Sequence, residues 1–192
     1  MRYFSKLILS TFTVGTLFLT GCQHASIKKN LSTPLTESQN QFSLQGKIGV
    51  KTPQQSGSAF FTWQQQQDQF DIELSGILGV GKTQITGQTG EVSLTSAKTG
   101  TITAETPEEL LEQATGWQAP ITHLVKWVQA MPATQQAQIL NDENKRPIQF
   151  IENDWTVDLS YKDAAKLPNK LILKQKLESG EENRITMIIQ NR

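Results

Sequence analysis

Apolar residues recur at every second position through most of the chain beyond residue 41, and this spacing limits the possible fold more than any other feature. The segment Phe70–Ser75 alternates apolar and polar side chains, and the segment Trp155–Tyr161 repeats the pattern more cleanly. Successive side chains of a strand point to opposite faces, so this alternation is typical of strands with one buried and one solvated face. The chain is therefore predicted to consist mainly of antiparallel β-structure.

Further segments with the same spacing predict additional strands on both sides of a helical region. These strands are expected around residues 42–50, 58–65, 83–86, 91–95, 101–104, 138–140, 147–152, 171–177 and 185–189.

Two helices are predicted between the two groups of strands. The segment Thr106–Glu109 combines a threonine cap, a proline at the first helical position and a glutamate that completes a capping box, and this helix should stop at Gly116. A second helix is predicted from Pro120 to Met131, because its apolar residues follow i, i+3, i+4, i+7 spacing and Pro132 ends it. Such helices most naturally cover the open face of a curved sheet.

The first 22 residues have the pattern of an export signal that ends in a modified cysteine. Arg2 and Lys6 precede an apolar run that is too short for a membrane-spanning helix, which needs about 20 apolar residues. The sequence Leu19-Thr20-Gly21-Cys22 resembles the bacterial lipobox, which directs acylation of the cysteine. We therefore predict a signal peptide over residues 1–21 and a lipidated Cys22. The alternative is an ordinary signal peptide followed by a free cysteine, although no second cysteine is present to form a disulfide.

Residues 22–40 are predicted to form a polar, lipid-anchored tether that leads into one folded domain over residues 41–192. The residue after the cysteine is Gln23, not aspartate, and by resemblance to the lipoprotein sorting rule this favours the outer membrane over the inner membrane. Removing residues 1–21 takes away two of the 18 basic residues and none of the 18 acidic residues. The slightly acidic remainder argues against nucleic acid as a partner.

The segment Gly76–Thr83 matches the phosphate-loop pattern G-x-x-x-x-G-K-[ST]. That motif requires a helix after the lysine, whereas residues 82–90 contain poor helix formers with period-two spacing. An exported protein would also meet no ATP, so nucleotide binding is not expected. Ile77, Leu78 and Val80 are unusual for a turn. Either this tip folds back onto the core, or it is an apolar finger that meets lipid or a hydrophobic partner.

No residue pattern supports a metal site, a cofactor or catalysis. His24 and His123 are far apart in sequence and lack a constellation of other ligands. The serines and carboxylates show neither a nucleophile elbow nor a paired-acid arrangement. We expect a protein that is not an enzyme, binds no cofactor and is a monomer.

The order of the motifs resembles the family of the outer-membrane lipoprotein receptor LolB, over essentially the whole chain. The features that carry the resemblance are the lipobox, the polar tether, Gly46-Lys47-Ile48-Gly49-Val50, Phe61-Thr62-Trp63-Gln64-Gln65, Phe70-Asp71-Ile72-Glu73-Leu74, the Leu78-Gly79 loop, the two helices with Trp127, and Pro168-Asn169-Lys170-Leu171-Ile172-Leu173.

The resemblance implies an unclosed antiparallel β-barrel, or half-barrel, whose apolar cavity for acyl chains is covered by helices. It implies that the protein accepts acylated lipoproteins from a LolA-type periplasmic carrier and inserts them into the inner leaflet of the outer membrane, with its domain facing the periplasm. The membrane-insertion leucine of the family corresponds to Leu78, and Ile77 stands where proline is usual.

Such transfer needs no bond chemistry, because acyl chains can pass downhill from weaker to tighter binding sites and then into the bilayer. The residues expected to line the cavity are Trp63, Ile72, Leu74, Val92, Leu94, Leu124, Val128, Trp155, Val157, Leu159, Leu173 and Met187. Core packing is the alternative role for each of them. A structural or binding envelope lipoprotein with a side-chain-filled core is the alternative for the whole protein.

Overall fold

The computed structural model describes residues 40–76, 81–116 and 118–192, which contain an eleven-stranded sheet and two helices. The elements are β1 (Gln41–Lys51), β2 (Ser56–Gln66), β3 (Gln69–Ser75), β4 (Lys82–Gln88), β5 (Glu91–Ser96), β6 (Gly100–Ala104), α1 (Pro107–Thr115), α2 (Ile121–Trp127), β7 (Gln138–Asn141), β8 (Pro147–Glu152), β9 (Trp155–Ser160), β10 (Lys170–Lys176) and β11 (Glu182–Asn191). The predicted signal peptide, Cys22, His24, most of the tether and the loop residues Ile77, Leu78 and Val80 lie outside the described residues.

All neighbouring strands are antiparallel, in the order β6-β5-β4-β3-β2-β1-β11-β10-β9-β8-β7. The first and last strands of the domain pair at the centre of the sheet, and the edge strands β6 and β7 do not pair with each other, so the barrel is unclosed. The expectation of a mainly β half-barrel with helices over its open face is confirmed. Within the described ranges, neither helix has the length and apolar character needed to cross a membrane.

A bulge interrupts the pairing of β1 with β11 near the centre of the sheet, and its extra residue is Gln190 of β11. The pairing of β1 with β11 shifts register between Gln45 and Gly46. A β-carbon at Gly46 would collide with the backbone carbonyl of Ile188 and would lie 3.0 Å from the ring of Phe61. Only glycine permits the two backbones to approach this closely.

Helix α1 begins much as its sequence predicts. The hydroxyl of Thr106 accepts a hydrogen bond from the backbone N–H of Glu109 at 3.1 Å, and Gly116 ends the helix in the left-handed conformation. The capping box is displaced by one residue, since the Glu109 carboxylate accepts from the backbone N–H of Glu105 rather than from that of Thr106.

Helix α2 ends at Trp127, so the predicted end at Met131 is wrong by four residues. Ala130 adopts a left-handed conformation with φ of 58°, which breaks the helix, and the backbone N–H of Met131 turns back to the carbonyl of Lys126. The apolar spacing beyond Trp127 therefore continues in a turn. Such a turn can bury the same side chains as a helix. The spacing of apolar residues therefore predicts a helix end that is too far along the chain.

The interior differs between the two halves of the sheet. Over β8–β10 it is filled by large buried side chains, among them Trp127, Phe150, Trp155 and Leu173. Over β1–β5 some inward residues are buried, such as Leu44 and Trp63, but Ile48, Val50, Ile72 and Leu74 are only partly buried. Helix α1 packs against β5 and β6 at the edge. The half-barrel therefore has a solid side and a hollow side.

Candidate functional site

A cavity of about 400 Å³ occupies the hollow side of the half-barrel. Its walls come from the inward faces of β1–β5, the near end of β11 and both helices. The apolar residues that line it are Ile48, Val50, Ala59, Phe61, Trp63, Phe70, Ile72, Leu74, Ile85, Leu94, Ala97, Pro107, Leu110, Leu111, Ala114, Ile121, Leu124, Ile185 and Met187. In residues 40–76, 81–116 and 118–192, side chains therefore leave part of the interior open.

Helix α1 forms the cover of this cavity. Leu110, Leu111 and Ala114 point their apolar side chains into it from one helical face, and Leu110 is buried. The opposite face carries exposed residues such as Glu112. This division follows from the 3.6-residue period of the helix, which places the apolar residues on one side.

A carboxylate of α1 joins the two helices. Helix α2 has no capping side chain of its own, since its N-cap residue is Pro120. The Oε1 atom of Glu108 instead accepts hydrogen bonds from the backbone N–H and the hydroxyl of Thr122, at 2.7 and 2.8 Å. The bonds satisfy an N–H at the start of α2 and fix the cover as a unit.

Trp63 lies in the cavity wall, and its indole N–H group is hydrogen-bonded within the protein. Its N–H donates to Oε1 of Gln65 at 3.0 Å, and the amide of Gln65 donates to the carbonyl of Gln67 at 2.8 Å. Trp63 therefore presents its apolar ring without leaving a buried donor unsatisfied.

Polar and charged residues rim one end of the cavity. Gln55, Ser56, Lys82, Lys98 and Thr99 are exposed and belong to the β1–β2 turn, the start of β4 and the β5–β6 turn. The cavity thus opens to solvent at the end of the sheet where these turns lie. An apolar interior with a polar mouth suits a ligand that has an apolar tail and a polar head.

Six of the twelve residues predicted to line the cavity do so: Trp63, Ile72, Leu74, Leu94, Leu124 and Met187. The other six lie elsewhere. Val128, Trp155, Val157, Leu159 and Leu173 belong to the solid core over β8–β10, and Val92 is buried beside Gly87. The position of a residue in the wall does not test acyl binding, which stays a prediction for all of them.

The wall residues that were not predicted lie on α1, on β1 and in the first half of β2, and they also include Phe70, Ile85, Ile121 and Ile185. Alternation already placed Ile48, Val50, Ala59 and Phe61 on inward faces. It could not tell an inward residue beside a cavity from one in a packed core, because the two have the same spacing. That difference depends on which helix covers each half of the sheet.

The phosphate-loop pattern is not followed by a helix. Lys82 begins strand β4, and its Nζ atom pairs with Oε2 of Glu73 at 2.5 Å. The expectation that a strand follows the lysine is confirmed. The segment therefore lacks the helix N-terminus with which the phosphate-loop motif holds a nucleotide.

His123 lies on α2 with its ring 5.4 Å from that of Trp127, in an edge-to-face arrangement. No group of three or more His, Cys, Asp or Glu side chains suited to a metal ion occurs in ranges 40–76, 81–116 and 118–192. The ring of His123 is best explained by its packing against Trp127.

A buried carboxylate fixes the turn that follows α2. Glu152 is only 5% exposed, and it accepts hydrogen bonds from the indole of Trp127 and from the backbone N–H groups of Ala133 and Thr134. Burial alone would raise the pKa of Glu152, but these donors outweigh it and hold the pKa below its ordinary value. The ionised carboxylate therefore anchors the helical cover to strand β8.

Sequence comparison shows the family. A family model described as "Outer membrane lipoprotein LolB" matches residues 40–191. The outer-membrane lipoprotein LolB of Stutzerimonas stutzeri is 39% identical over 151 residues, which cover 77% of this chain and 71% of the relative. The protein of the same name from Pseudomonas fluorescens is 38% identical over 150 residues, with coverages of 76% and 71%.

Two solved structures show weaker similarity. A LolA superfamily protein from Nitrosomonas europaea aligns with a TM-score of 0.44 at 11% identity, covering 81% of this chain and 91% of that chain. The MucA/MucB complex of Pseudomonas aeruginosa gives 0.37 at 14% identity, with coverages of 79% and 52%. The family assignment rests on the sequence matches. The chain belongs to the LolB family, whose members are lipid-anchored lipoproteins of the outer membrane that serve lipoprotein localisation and are not a family of enzymes.

Proposed function

We propose that the protein receives acylated lipoproteins from a LolA-type periplasmic carrier and inserts them into the inner leaflet of the outer membrane. It acts as a monomer whose domain faces the periplasm, and the cavity under α1 holds the acyl chains of the cargo during the transfer.

The cavity is the observation that carries this proposal. Its volume of about 400 Å³ lies in the range of ligand pockets, roughly 300–1,000 Å³. Aliphatic and aromatic side chains form its walls, while polar groups stand at its mouth. Each methylene moved from water into such an environment contributes about 0.8 kcal/mol, so even part of an acyl chain would be held firmly.

The direction of transfer follows from relative affinity. No bond is made or broken when an acyl chain leaves one apolar site for another, and the protein needs no nucleotide or cofactor for this. The acyl chains move from the carrier to this cavity if they bind more tightly here. They then move into the bilayer, where their free energy is lowest. The protein is therefore not an enzyme.

Delivery requires contact with the bilayer. The lipid on Cys22 would hold the domain near the membrane, since two or more acyl chains anchor stably. Ile77, Leu78 and Val80 form an apolar segment between glycines. We assign this segment to membrane insertion, with Leu78 as its central residue.

Binding of a fluorescent fatty acid tests the cavity directly. The measurement uses a soluble version of the protein that lacks Cys22, and an unlabelled fatty acid serves as competitor. Saturable binding that the competitor displaces supports the proposal. Absence of displaceable binding would favour a structural envelope lipoprotein instead.

Depletion of the protein in its native cell tests the cellular role. If it is the receptor, other lipoproteins should accumulate on their periplasmic carrier as its level falls. Normal arrival of lipoproteins at the outer membrane after depletion would contradict the proposal.

A further inference from the structure

A row of lysines and exposed apolar side chains crosses the outer face of the sheet, opposite the cavity. Strand pairing places these residues side by side from β4 to β10, with Ser75 of β3 between the first two. We call them the outer row: Lys82, Phe60, Lys47, Ile188 and Lys170.

The apolar members of the outer row are unusually exposed for their size. Phe60 is 57% exposed and Ile188 is 40% exposed, whereas the adjacent inward residue Phe61 is 5% exposed. The Nζ atom of Lys47 lies 5.9 Å from the centroid of the Phe60 ring. Apolar groups flanked by lysines suit the boundary between lipid headgroups and acyl chains, where the ring or alkyl group is buried and the ammonium group stays in water.

The charge of the outer row is only partly neutralised. Lys82 pairs with Glu73, but Lys47 and Lys170 form no salt bridge to any residue that the structure describes. Two rows further toward the β1–β2 turn, Lys51 lies opposite Arg184, which pairs with Glu182. Carboxylates also lie on this face, but Glu73 and Asp158 pair with Lys82 and Lys174. Lys47 and Lys170 are therefore the cations of the outer row that can meet an anionic partner.

The outer row begins beside the segment proposed for membrane insertion. Lys82 and Ser75 flank residues 76–81, and Lys82 also lies at the rim of the cavity. The family is anchored in a membrane by lipid. If residues 77–80 enter the bilayer as proposed, the start of the outer row lies close to the membrane surface.

We infer that the outer row binds anionic phospholipid headgroups of the membrane that anchors the protein, with Phe60 and Ile188 placed at the interface. The row lies on the convex side of a curved sheet, and its apolar residues are separated by lysines. A fluid layer of phosphates can adapt to this spacing, whereas a protein partner would need a matching shaped surface. This inference depends on the membrane anchor of the family and does not require that the cavity carries cargo.

The test places a reporter thiol beside the outer row in the full-length, lipid-anchored protein. Ser58 is exposed on the same face of β2, two residues before Phe60, and the natural sequence has no cysteine apart from Cys22. The Ser58→Cys protein is reconstituted into vesicles of phosphatidylcholine, or of phosphatidylcholine with phosphatidylglycerol. The rate of labelling by a water-soluble maleimide is then measured without any cargo.

Docking of the outer row should make labelling of Ser58→Cys at least about fivefold slower in the vesicles that contain phosphatidylglycerol. One lysine near an anionic surface stabilises the docked state by about this factor, and the docked state shields the thiol. High salt should restore the rate by screening. Adding Lys47→Glu and Lys170→Glu should abolish the slowing. Lys145→Glu with Lys162→Glu is the control of equal charge change, because both lysines are exposed and lie in turns outside the row.

Equal labelling rates in the two kinds of vesicle would overturn the inference, as would slowing that survives Lys47→Glu with Lys170→Glu. A third outcome is that labelling in phosphatidylcholine vesicles slows only after an acidic protein is added. This would also overturn the inference, because the row would then bind a protein partner. The neutral pair Lys47→Gln and Lys170→Gln, with circular dichroism of each variant, separates loss of docking from loss of the fold.

Discussion

Trp127 and Glu152 are joined by a hydrogen bond of 2.6 Å from the indole Nε1 to the carboxylate Oε1, which ties the end of α2 to strand β8. The same carboxylate accepts the backbone N–H groups of Ala133 and Thr134 at 3.0 and 2.7 Å. Three donors thus converge on one buried charge. Their arrangement fixes the turn after α2, and with it the solid half of the interior that bounds the cavity.

Replacing Glu152 by alanine should destabilise the fold by about 3 kcal/mol, because buried donors lose a charged acceptor. The measurement is the free energy of unfolding in urea, taken from the midpoint and slope of the transition. Glu91→Ala is the matched control, since Glu91 is an exposed strand residue and its loss should change stability by less than about 0.5 kcal/mol. A Glu152→Ala protein as stable as the control would show that the bonds contribute little.

Acid should weaken the fold partly through Glu152. Its pKa is lower in the folded protein than the ordinary value of about 4.3, so its contribution is present above that pH and is lost as the pH falls through the folded-state pKa. In the Glu152→Gln protein, the free energy of unfolding should therefore fall less between about pH 5 and pH 2 than it does in the wild type.

Some acid dependence of the free energy of unfolding should remain in Glu152→Gln, because Asp158 also loses a stabilising contribution when it is protonated. Burial raises the pKa of Asp158, but bonds from Lys174 and Gln149 outweigh it and lower the pKa overall. Urea unfolding at a series of pH values checks both statements. An acid dependence that is identical in the wild-type and Glu152→Gln proteins would contradict the role of Glu152.

Gly46→Ala should destabilise the fold by about 3 kcal/mol, since the added methyl group meets the carbonyl of Ile188 and neither backbone can move without breaking the strand pairing. Gly49→Ala is the control on the same strand. There the nearest atom is the carbonyl oxygen of Gly57 at 3.8 Å, an ordinary contact. Thermal unfolding of the two variants compares them, and equal transition temperatures would contradict the close approach at Gly46.

The strands could be predicted from sequence because a two-residue period of apolar side chains fits the pleat of a strand and does not fit the 3.6-residue turn of a helix. Trp155 to Leu159 alternate and form β9, and Asn153 with Asp154 forms the left-handed two-residue turn before it. The end of α2 could not be predicted, because Met131 continues the apolar spacing after Ala130 has broken the helix.

The cavity was less accessible to sequence reasoning than the fold. Leu94 and Val157 are both inward apolar residues of alternating strands, yet the first lines the cavity and the second is buried in the solid core. The position of Glu152 could be predicted to be buried, because it lies two residues after Phe150 and on the same face of β8. A carboxylate at an inward strand position predicts a buried network, because an isolated buried charge is too costly.

Leu78→Glu should leave fatty-acid binding intact and block delivery of lipoproteins to membranes, if the 77–80 segment inserts into the bilayer. A charged side chain is costly in the apolar region of a membrane, whereas it should not affect a cavity formed by other residues. Transfer of a lipoprotein from its carrier to vesicles measures delivery, and displacement of the fluorescent fatty acid measures binding. Delivery at the unmodified rate would remove Leu78 from the mechanism.

Affinity for a fatty acid in the paired variants Ala114→Phe and Gln113→Phe tests the central claim most directly. Ala114 lines the cavity from α1, while its neighbour Gln113 is exposed and does not line the cavity. A phenyl group at position 114 should occupy space that the acyl chain needs, and we expect binding to weaken at least about tenfold, or 1.4 kcal/mol. The same group at position 113 should leave binding unchanged. Equal affinities for the two variants, with both folded, would contradict the claim that the acyl chain lies under α1.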